Sequence, residues 1–129
     1  MRVLMIGAGI IGSIYGWALA QSRHRVVHLV RPGKAAALRD GLAVDIFDRR
    51  KGHPRKFQGL YNLDAVETLL PADAFDLVIV PVKHYALVRT LEDIVPRVGG
   101  AEFLLDAELA GYSRHRPRSS APAVRIRRR

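Results

Sequence analysis

The 129-residue sequence contains no cysteine, so disulfide bridges and thiolate metal sites are both excluded. It also has no apolar run near the ~20 residues that a membrane-spanning helix needs, and we expect no membrane partner. The first apolar run stops at a glycine after residue 6, which is unlike the layout of a secretory signal peptide. These absences favour a cytoplasmic protein.

Acidic residues are missing from the end of the chain, because none follows Glu108. Seven arginines lie beyond that point, and without them 14 basic residues stand against 12 acidic ones. These seven arginines therefore account for most of the net charge of +9, and the Arg, Ser, Ala and Pro content of residues 106–129 predicts a disordered or loosely packed tail. We interpret this tail as an out-of-frame or truncated end. The alternative is an arm that binds nucleic-acid phosphates, but no aromatic residue follows Tyr112 and specific nucleic-acid recognition is not expected.

The sequence does contain a glycine-rich motif directly after the apolar run of residues 3–6, which is typical of a buried parallel strand. In this motif Gly7 would allow a tight turn, Gly9 would let a pyrophosphate approach, and Gly12 would let the following helix pack closely. Backbone amides at the start of that helix would face the phosphates. The predicted cofactor contacts are Gly7, Ala8, Gly9, Ile10, Ile11 and Gly12. The alternative is a purely structural glycine turn.

A second predicted strand, residues 25–30, completes a βαβ unit and leads to the residues that distinguish NAD from NADP. NAD sites usually have Asp or Glu about 20 residues after the glycines. This chain has Arg31 and Lys34 instead, and no carboxylate until Asp40. Because arginine offers a permanent planar cation to a 2′-phosphate, the segment favours NADP, bound as NADPH. A solvated basic turn without a ligand is the alternative.

The rest of the chain alternates between helical and strand patterns, so we predict an α/β fold. The further predicted elements are a helix over 34–40 ended by Gly41, strands over 42–48 and 56–60, a helical turn over 64–70, a central strand over 76–82, a helix over 86–95 and a strand over 101–105. This order favours a Rossmann-like, doubly wound, mostly parallel sheet with helices on both faces, formed by residues 1–105. His53 has no ligand partner at suitable spacing and is interpreted as a surface residue, so no metal site is predicted.

Lys83 directly follows the strand predicted over residues 76–82. Ligands of open α/β sheets bind beyond the carboxyl ends of the strands, so Lys83 is a candidate contact for a nicotinamide or substrate. The alternative is a rim lysine whose aliphatic stem packs against the strand. The role of His84 is left open, and packing is the favoured interpretation for Tyr85.

These features together resemble the ketopantoate reductase (2-dehydropantoate 2-reductase) family over roughly residues 1–105. The resemblance is carried by the segment from Gly7 to Gly16, by Val30 and Arg31 at the end of the second strand, and by residues 76–83. It implies an NADPH-binding N-terminal domain in which Arg31 meets the 2′-phosphate and Lys83 lies near cofactor and substrate. It also implies reduction of a 2-oxo acid, as in pantothenate biosynthesis.

The chain departs from the family pattern after Leu105. The asparagine-containing turn that family members usually have there is replaced by a segment starting at Asp106. The 24 residues after Leu105 cannot form the helical C-terminal domain of the family, which supplies the general-acid lysine. We therefore expect no catalytic residue in this chain, and self-association through apolar surface that the missing domain would cover. Three functions remain open: 2-oxo acid reductase, NADP-binding module without turnover, and nucleic-acid-associated protein.

Overall fold

The computed structural model describes residues 1–49 and 52–106 with their side chains, and residues 124–125 as backbone. The strands are β1 (Arg2–Ile6), β2 (Arg25–Leu29), β3 (Leu42–Asp48), β4 (Arg55–Tyr61), β5 (Asp64–Val66), β6 (Leu77–Val80), β7 (Glu102–Leu105) and β8 (Val124–Arg125). The helices are α1 (Ile10–Gln21), α2 (Ala35–Leu38) and α3 (His84–Ile94), which continues into a 3-10 turn, Val95–Arg97. The prediction for the tail falls mostly on residues 107–123 and 126–129, which lie outside the described residues.

A parallel five-stranded sheet with the order β5-β2-β1-β6-β7 forms the centre of the fold. Strand β1 pairs with β2 along one edge and with β6 along the other, and all neighbours in this sheet run parallel. Strands β2 and β5 therefore extend the sheet from β1 on one side, and β6 and β7 extend it on the other. The carboxyl ends of β1 and β6 consequently flank the point at which the strand order reverses, where such sheets bind their ligands.

Helices cover both faces of this sheet because β1 is apolar on both of its faces. Val3 and Met5 are fully buried on the face packed by Leu19 of α1. Leu4 is fully buried on the other face, in a cluster that includes Ile94 of α3. The predicted Rossmann-like α/β fold, with helices on both faces, is confirmed.

A second, antiparallel sheet with the order β4-β3-β8 packs beside α1. Strands β3 and β4 form a hairpin, and the alternation in β3 buries Val44 and Ile46 on one face. Trp17 of α1 stacks at a tilt on Phe57 of β4, with ring centroids 4.7 Å apart. This contact makes Trp17 a packing residue that joins the helix to the second sheet.

Several predicted boundaries differ from those observed. The helical turn predicted over residues 64–70 is wrong, because residues 64–66 form β5 and pair with β2. Local periodicity in the sequence does not reveal pairing between distant segments. The helix predicted over 34–40 is only the four-residue α2, and α3 begins at His84 rather than at residue 86. Strand β6 ends at Val80, directly before Pro81, which has no N–H to donate to a neighbouring strand.

No helix within the described residues is both long and apolar enough to traverse a bilayer. Over residues 1–49 and 52–106, no three His, Asp or Glu side chains come together in the way a metal site requires.

Candidate functional site

The glycine loop lies at the carboxyl end of β1 and opens directly into α1. Gly7 adopts a φ of +85°, a conformation that favours glycine, and its N–H donates to the carbonyl of Leu29 over 2.7 Å. Gly9 caps α1 with extended backbone and without a side-chain hydrogen bond, and the first turn of the helix contains no acidic residue. The amides of this turn therefore lack an internal anion, which suits them to bind one from outside.

Space for such an anion exists above Gly9. A Cβ atom added to Gly9 would have no other atom within 4 Å, and the neighbouring side chains of Ile10 and Ile11 are 54% and 47% exposed. Gly12 is different, because its Cβ would lie 3.3 Å from the carbonyl oxygen of Gly7 and 3.4 Å from Cγ of Pro81. The loop is thus open on its outer side and tightly packed against the ends of β1 and β6 on its inner side.

A tight turn follows β2 and holds the two predicted cations together. Lys34 donates its backbone N–H to the carbonyl of Arg31 over 3.1 Å, and Gly33 between them has a φ of +81°. With Pro32 before that glycine, this is the pattern of a type II β-turn, whose end residues lie less than ~7 Å apart at Cα. Both side chains are exposed. The turn therefore presents two adjacent cations at the same sheet edge as the glycine loop.

Glu67 fixes this turn to the end of β5, a contact that sequence reasoning missed. Its Oε1 accepts a hydrogen bond from the backbone N–H of Ala35 over 3.0 Å. The carboxylate thereby caps the start of α2 and stands close to the residue after Lys34. No local signal in the sequence connects residues 32 positions apart, so this partner could not have been found from the pattern alone.

Lys83 lies at the carboxyl end of β6, as predicted, and caps the start of α3 with extended backbone. Its carbonyl accepts the N–H of Ala86 over 2.8 Å, and its side chain is exposed. Tyr85 is 86% exposed, so the interpretation of Tyr85 as a packing residue is wrong. Because β6 adjoins β1, Lys83 and the glycine loop share one edge of the sheet.

The end of β7 closes this edge against α1. Burial, followed by the charge of Asp106 and a hydrogen bond with it, raises the pKa of Tyr15 on α1. The backbone N–H of Asp106 donates to the carbonyl of Val80 over 3.3 Å, which holds the residue beside β6. The position after β7 therefore carries the carboxylate of Asp106, which accepts hydrogen bonds only. The asparagine expected there from the family pattern has an amide that both donates and accepts.

Beneath the loop, the ring of His28 on β2 is fully buried and contacts the carbonyl oxygen of Gly7 over 2.8 Å. Burial lowers the pKa of His28, against smaller opposing effects of the Gly7 hydrogen bond and the charge of Asp64. Sequence reasoning passed over this residue. The available signal was a single polar residue in a strand whose neighbours, Val26 and Val27, are buried and apolar.

Comparison with protein families identifies one family over most of the chain. The family model described as ketopantoate reductase PanE/ApbA matches residues 3–105. Among curated proteins no match was found.

Solved structures with a similar fold include two 2-dehydropantoate 2-reductases and a D-mandelate dehydrogenase. The 2-dehydropantoate 2-reductase from Geobacter metallireducens superposes with a TM-score of 0.62 and 25% identity, over 83% of this chain and 34% of that one. D-mandelate dehydrogenase in a ternary structure with NADH and anilino(oxo)acetate gives 0.61 and 23%, over 81% and 33%. The 2-dehydropantoate 2-reductase from Methylococcus capsulatus gives 0.54 and 24%, over 81% and 33%. The chain thus spans about one third of the length of these proteins.

Proposed function

The chain belongs to the ketopantoate reductase family, and we propose that it binds NADPH at the glycine loop and serves as the cofactor-binding part of a 2-oxo acid reductase. The single observation that carries this proposal is the open cradle at Gly9, where an added Cβ would meet no atom within 4 Å. It lies at the N-terminus of a 12-residue helix without a side-chain cap. A pyrophosphate has the size and charge for this position.

The described residues fit each charged part of NADPH. The amides of residues 8–12 would bind the pyrophosphate, and Arg31 and Lys34 would bind the 2′-phosphate as two cations on one turn. NADPH, when bound, supplies the hydride for reduction. The contribution of this chain is to hold the cofactor along the edge between β2, β1 and β6.

The proposed substrate is a 2-oxo acid of the 2-dehydropantoate type, whose reduction gives pantoate for pantothenate biosynthesis in the cytoplasm. Lys83 supports this assignment, because it adds a cation at the carboxyl end of β6, beside the loop. A lysine there would attract the carboxylate of the substrate or orient the nicotinamide.

A second candidate function is NADP binding without turnover. The chain covers 34% of the Geobacter reductase, and this candidate function needs only the cofactor contacts described above. The nucleic-acid alternative concerns arginines after residue 106, whose side chains lie outside the described residues. Turnover separates the first two functions, and cofactor binding separates both from the third.

The test is a titration of the full chain with NADPH and with NADH, followed by fluorescence and by thermal melting. At 100 times its dissociation constant, a cofactor that binds only the folded state adds ~2.7 kcal/mol to the free energy of unfolding. We expect NADPH to raise the melting temperature at lower concentrations than NADH does. No response to either cofactor would contradict the proposal.

Steady-state oxidation of NADPH in the presence of 2-dehydropantoate then tests the reductase function. Consumption of NADPH that depends on the 2-oxo acid would establish it for this polypeptide. Binding without consumption would support the second candidate function instead.

A further inference from the structure

Within the described residues, His28 and Ser13 are the polar residues whose exposure is 0%. The His28 ring bridges two parts of the molecule: Nδ1 lies 2.8 Å from the carbonyl oxygen of Gly7, and Nε2 lies 3.0 Å from the hydroxyl of Tyr61. Gly7 belongs to the cofactor loop and Tyr61 to β4 of the second sheet. The imidazole thus connects the loop to the second sheet.

The chemistry of the partners fixes the proton on the ring. A carbonyl oxygen only accepts, so Nδ1 must carry the proton that is donated to Gly7. Burial disfavours a charged imidazole, so Nε2 is the unprotonated nitrogen and accepts the hydroxyl proton of Tyr61. That hydroxyl is a dependable donor, because burial and then the charge of Asp64 raise the pKa of Tyr61 to about 12.

The bond from His28 determines which way the first peptide of the loop faces. A trans peptide is planar, and its C=O and N–H point in opposite directions. No cis peptide bond occurs in the described residues. When the carbonyl of Gly7 is held inward by Nδ1, the N–H of Ala8 must therefore point outward. A Cβ added to Gly12 would lie 3.3 Å from the carbonyl oxygen of Gly7, and this close packing restricts the peptide further.

The site of the imidazole is itself kept open by Gly16. A Cβ at Gly16 would lie 2.5 Å from Nε2 of His28 and 2.8 Å from the hydroxyl oxygen of Tyr61. The two rings meet edge to face, with centroids 5.7 Å apart. Helix α1 can pass over the hydrogen-bonded pair only because residue 16 has no side chain.

We infer that His28 is a positioning residue for cofactor binding: its Nδ1–H bond to Gly7 aims the Ala8 amide at the pyrophosphate. The inference rests on the proposed function, since it specifies how the glycine loop is set for that ligand. His28 is fully buried and would not contact the cofactor itself. It acts through the orientation of one peptide plane, and Tyr61 acts through His28 by selecting the tautomer.

A matched pair of variants separates the two ring nitrogens. The amide of His28→Asn can replace the Nδ1 donor, whereas the longer amide of His28→Gln replaces Nε2 and leaves Gly7 without a donor. Both remove the aromatic ring, so the loss of packing is similar. We expect NADPH to bind the Asn variant within about twofold of the unchanged protein. A net hydrogen bond of up to about 1.5 kcal/mol predicts a dissociation constant up to about tenfold higher for the Gln variant.

Equal weakening in both variants, or no weakening in the Gln variant, would overturn the inference, because a merely structural role predicts equal effects. Melting temperatures are measured alongside, and binding is compared well below the lower one. If both variants fail to fold, the ¹⁵N spectrum of the unchanged protein decides. A proton on Nδ1 supports the inference, and one on Nε2 overturns it.

The same spectra keep this inference distinct from the proposed function. If the unchanged protein bound neither NADPH nor NADH, the proposed function would fail. The backbone ¹⁵N–¹H signal of Ala8 would still report the orientation of its peptide. We expect that signal to stay near its original position in the Asn variant and to move in the Gln variant. The reverse order would contradict the role of His28 in the loop.

Discussion

At the scale of single residues, we predict that one turn decides between NADPH and NADH. Arg31 and Lys34 are held at its ends by the hydrogen bond from Lys34 N–H to the Arg31 carbonyl. Glu67 accepts from the next amide along the chain, at Ala35, and so places a carboxylate near these cations. The preference for a 2′-phosphate should therefore depend on a balance of charges, with arginine as the planar, bidentate partner.

Replacing Arg31 by alanine should weaken NADPH much more than NADH, because only NADPH carries the 2′-phosphate. Hydrogen bonds to charged groups contribute about 1.5–3 kcal/mol, so the dissociation constant for NADPH should rise about 10- to 100-fold. Arg89→Ala, on the exposed side of α3, is the matched control, since it removes the same charge elsewhere. Equal losses for both cofactors would show that Arg31 does not contact the phosphate.

The buried ring of His28 makes stability dependent on pH. Burial lowers its pKa in the folded protein, whereas the unfolded chain titrates near 6.5. Below about pH 6.5 the unfolded state therefore binds a proton that the folded state does not. As the pH is lowered below this value, the free energy of unfolding should fall by up to ~1.4 kcal/mol per pH unit until the pKa of His28 in the folded protein is reached.

Urea unfolding at pH 7.5, 6.5 and 5.5 measures this dependence. The His28→Asn variant lacks the titrating group and should show a flatter profile over the same range. Parallel profiles for the two proteins would mean that other groups cause the loss of stability.

At the scale of elements, α1 carries most of the site. Its N-terminus forms the open cradle, while Gly12 and Gly16 let it lie against the first sheet and against the pair formed by His28 and Tyr61. These two glycines differ in how closely they are approached. An added Cβ would be 3.3 Å from its nearest neighbour at Gly12 but 2.5 Å at Gly16.

Alanine at each glycine tests this difference. Both substitutions gain up to ~1 kcal/mol of helix propensity. At Gly16 the clash with His28 and Tyr61 should cost about 1–3 kcal/mol and outweigh that gain. Gly12→Ala should be nearly neutral for stability by comparison. Thermal unfolding decides, and a Gly16→Ala protein at least as stable as the Gly12→Ala protein would contradict the packing at Gly16.

The elements also show where sequence patterns suffice. Residues 3–6 and residues 77–80 are apolar without interruption, which predicts central strands, and both are central. Residues 64–66 contain an exposed Asp64 beside Ala65 and Val66, so their strand character comes from pairing with β2 rather than from local pattern. A three-residue strand is too short to show a period, and this explains the incorrect helical prediction.

At the scale of the whole molecule, the sheet topology brings the candidate residues together. Arg31, Lys83 and the glycine loop follow three neighbouring strands, so parallel pairing alone was enough to predict that they share an edge. The roles of His28, Tyr61 and Glu67 were not predictable in this way. Each of these residues acts through a contact between elements that are distant in sequence, and none of them belongs to a recognisable sequence motif.

The same edge exposes apolar side chains from different elements. Leu104 and Leu105 at the end of β7 are 49% and 48% exposed, and Ile10 of α1 is 54% exposed. The interaction of Tyr15 with Asp106 shows that the end of β7 lies against α1. An apolar area of this kind favours self-association.

Sedimentation velocity over a range of concentrations tests for that association. Leu105→Asp should shift the distribution toward monomer. Leu60→Asp is the matched control, because Leu60 is 55% exposed but belongs to β4 of the second sheet. Equal effects of the two substitutions would argue against association through the sheet edge that carries the glycine loop.

The close approach at Gly16 has a consequence for related sequences. An imidazole at position 28 and a Cβ at position 16 cannot occupy the same space, since only 2.5 Å would separate them. Homologues that carry alanine or serine at position 16 should therefore carry a smaller residue at position 28. The two positions are expected to vary together through evolution, and an alignment of related sequences would reveal that covariation.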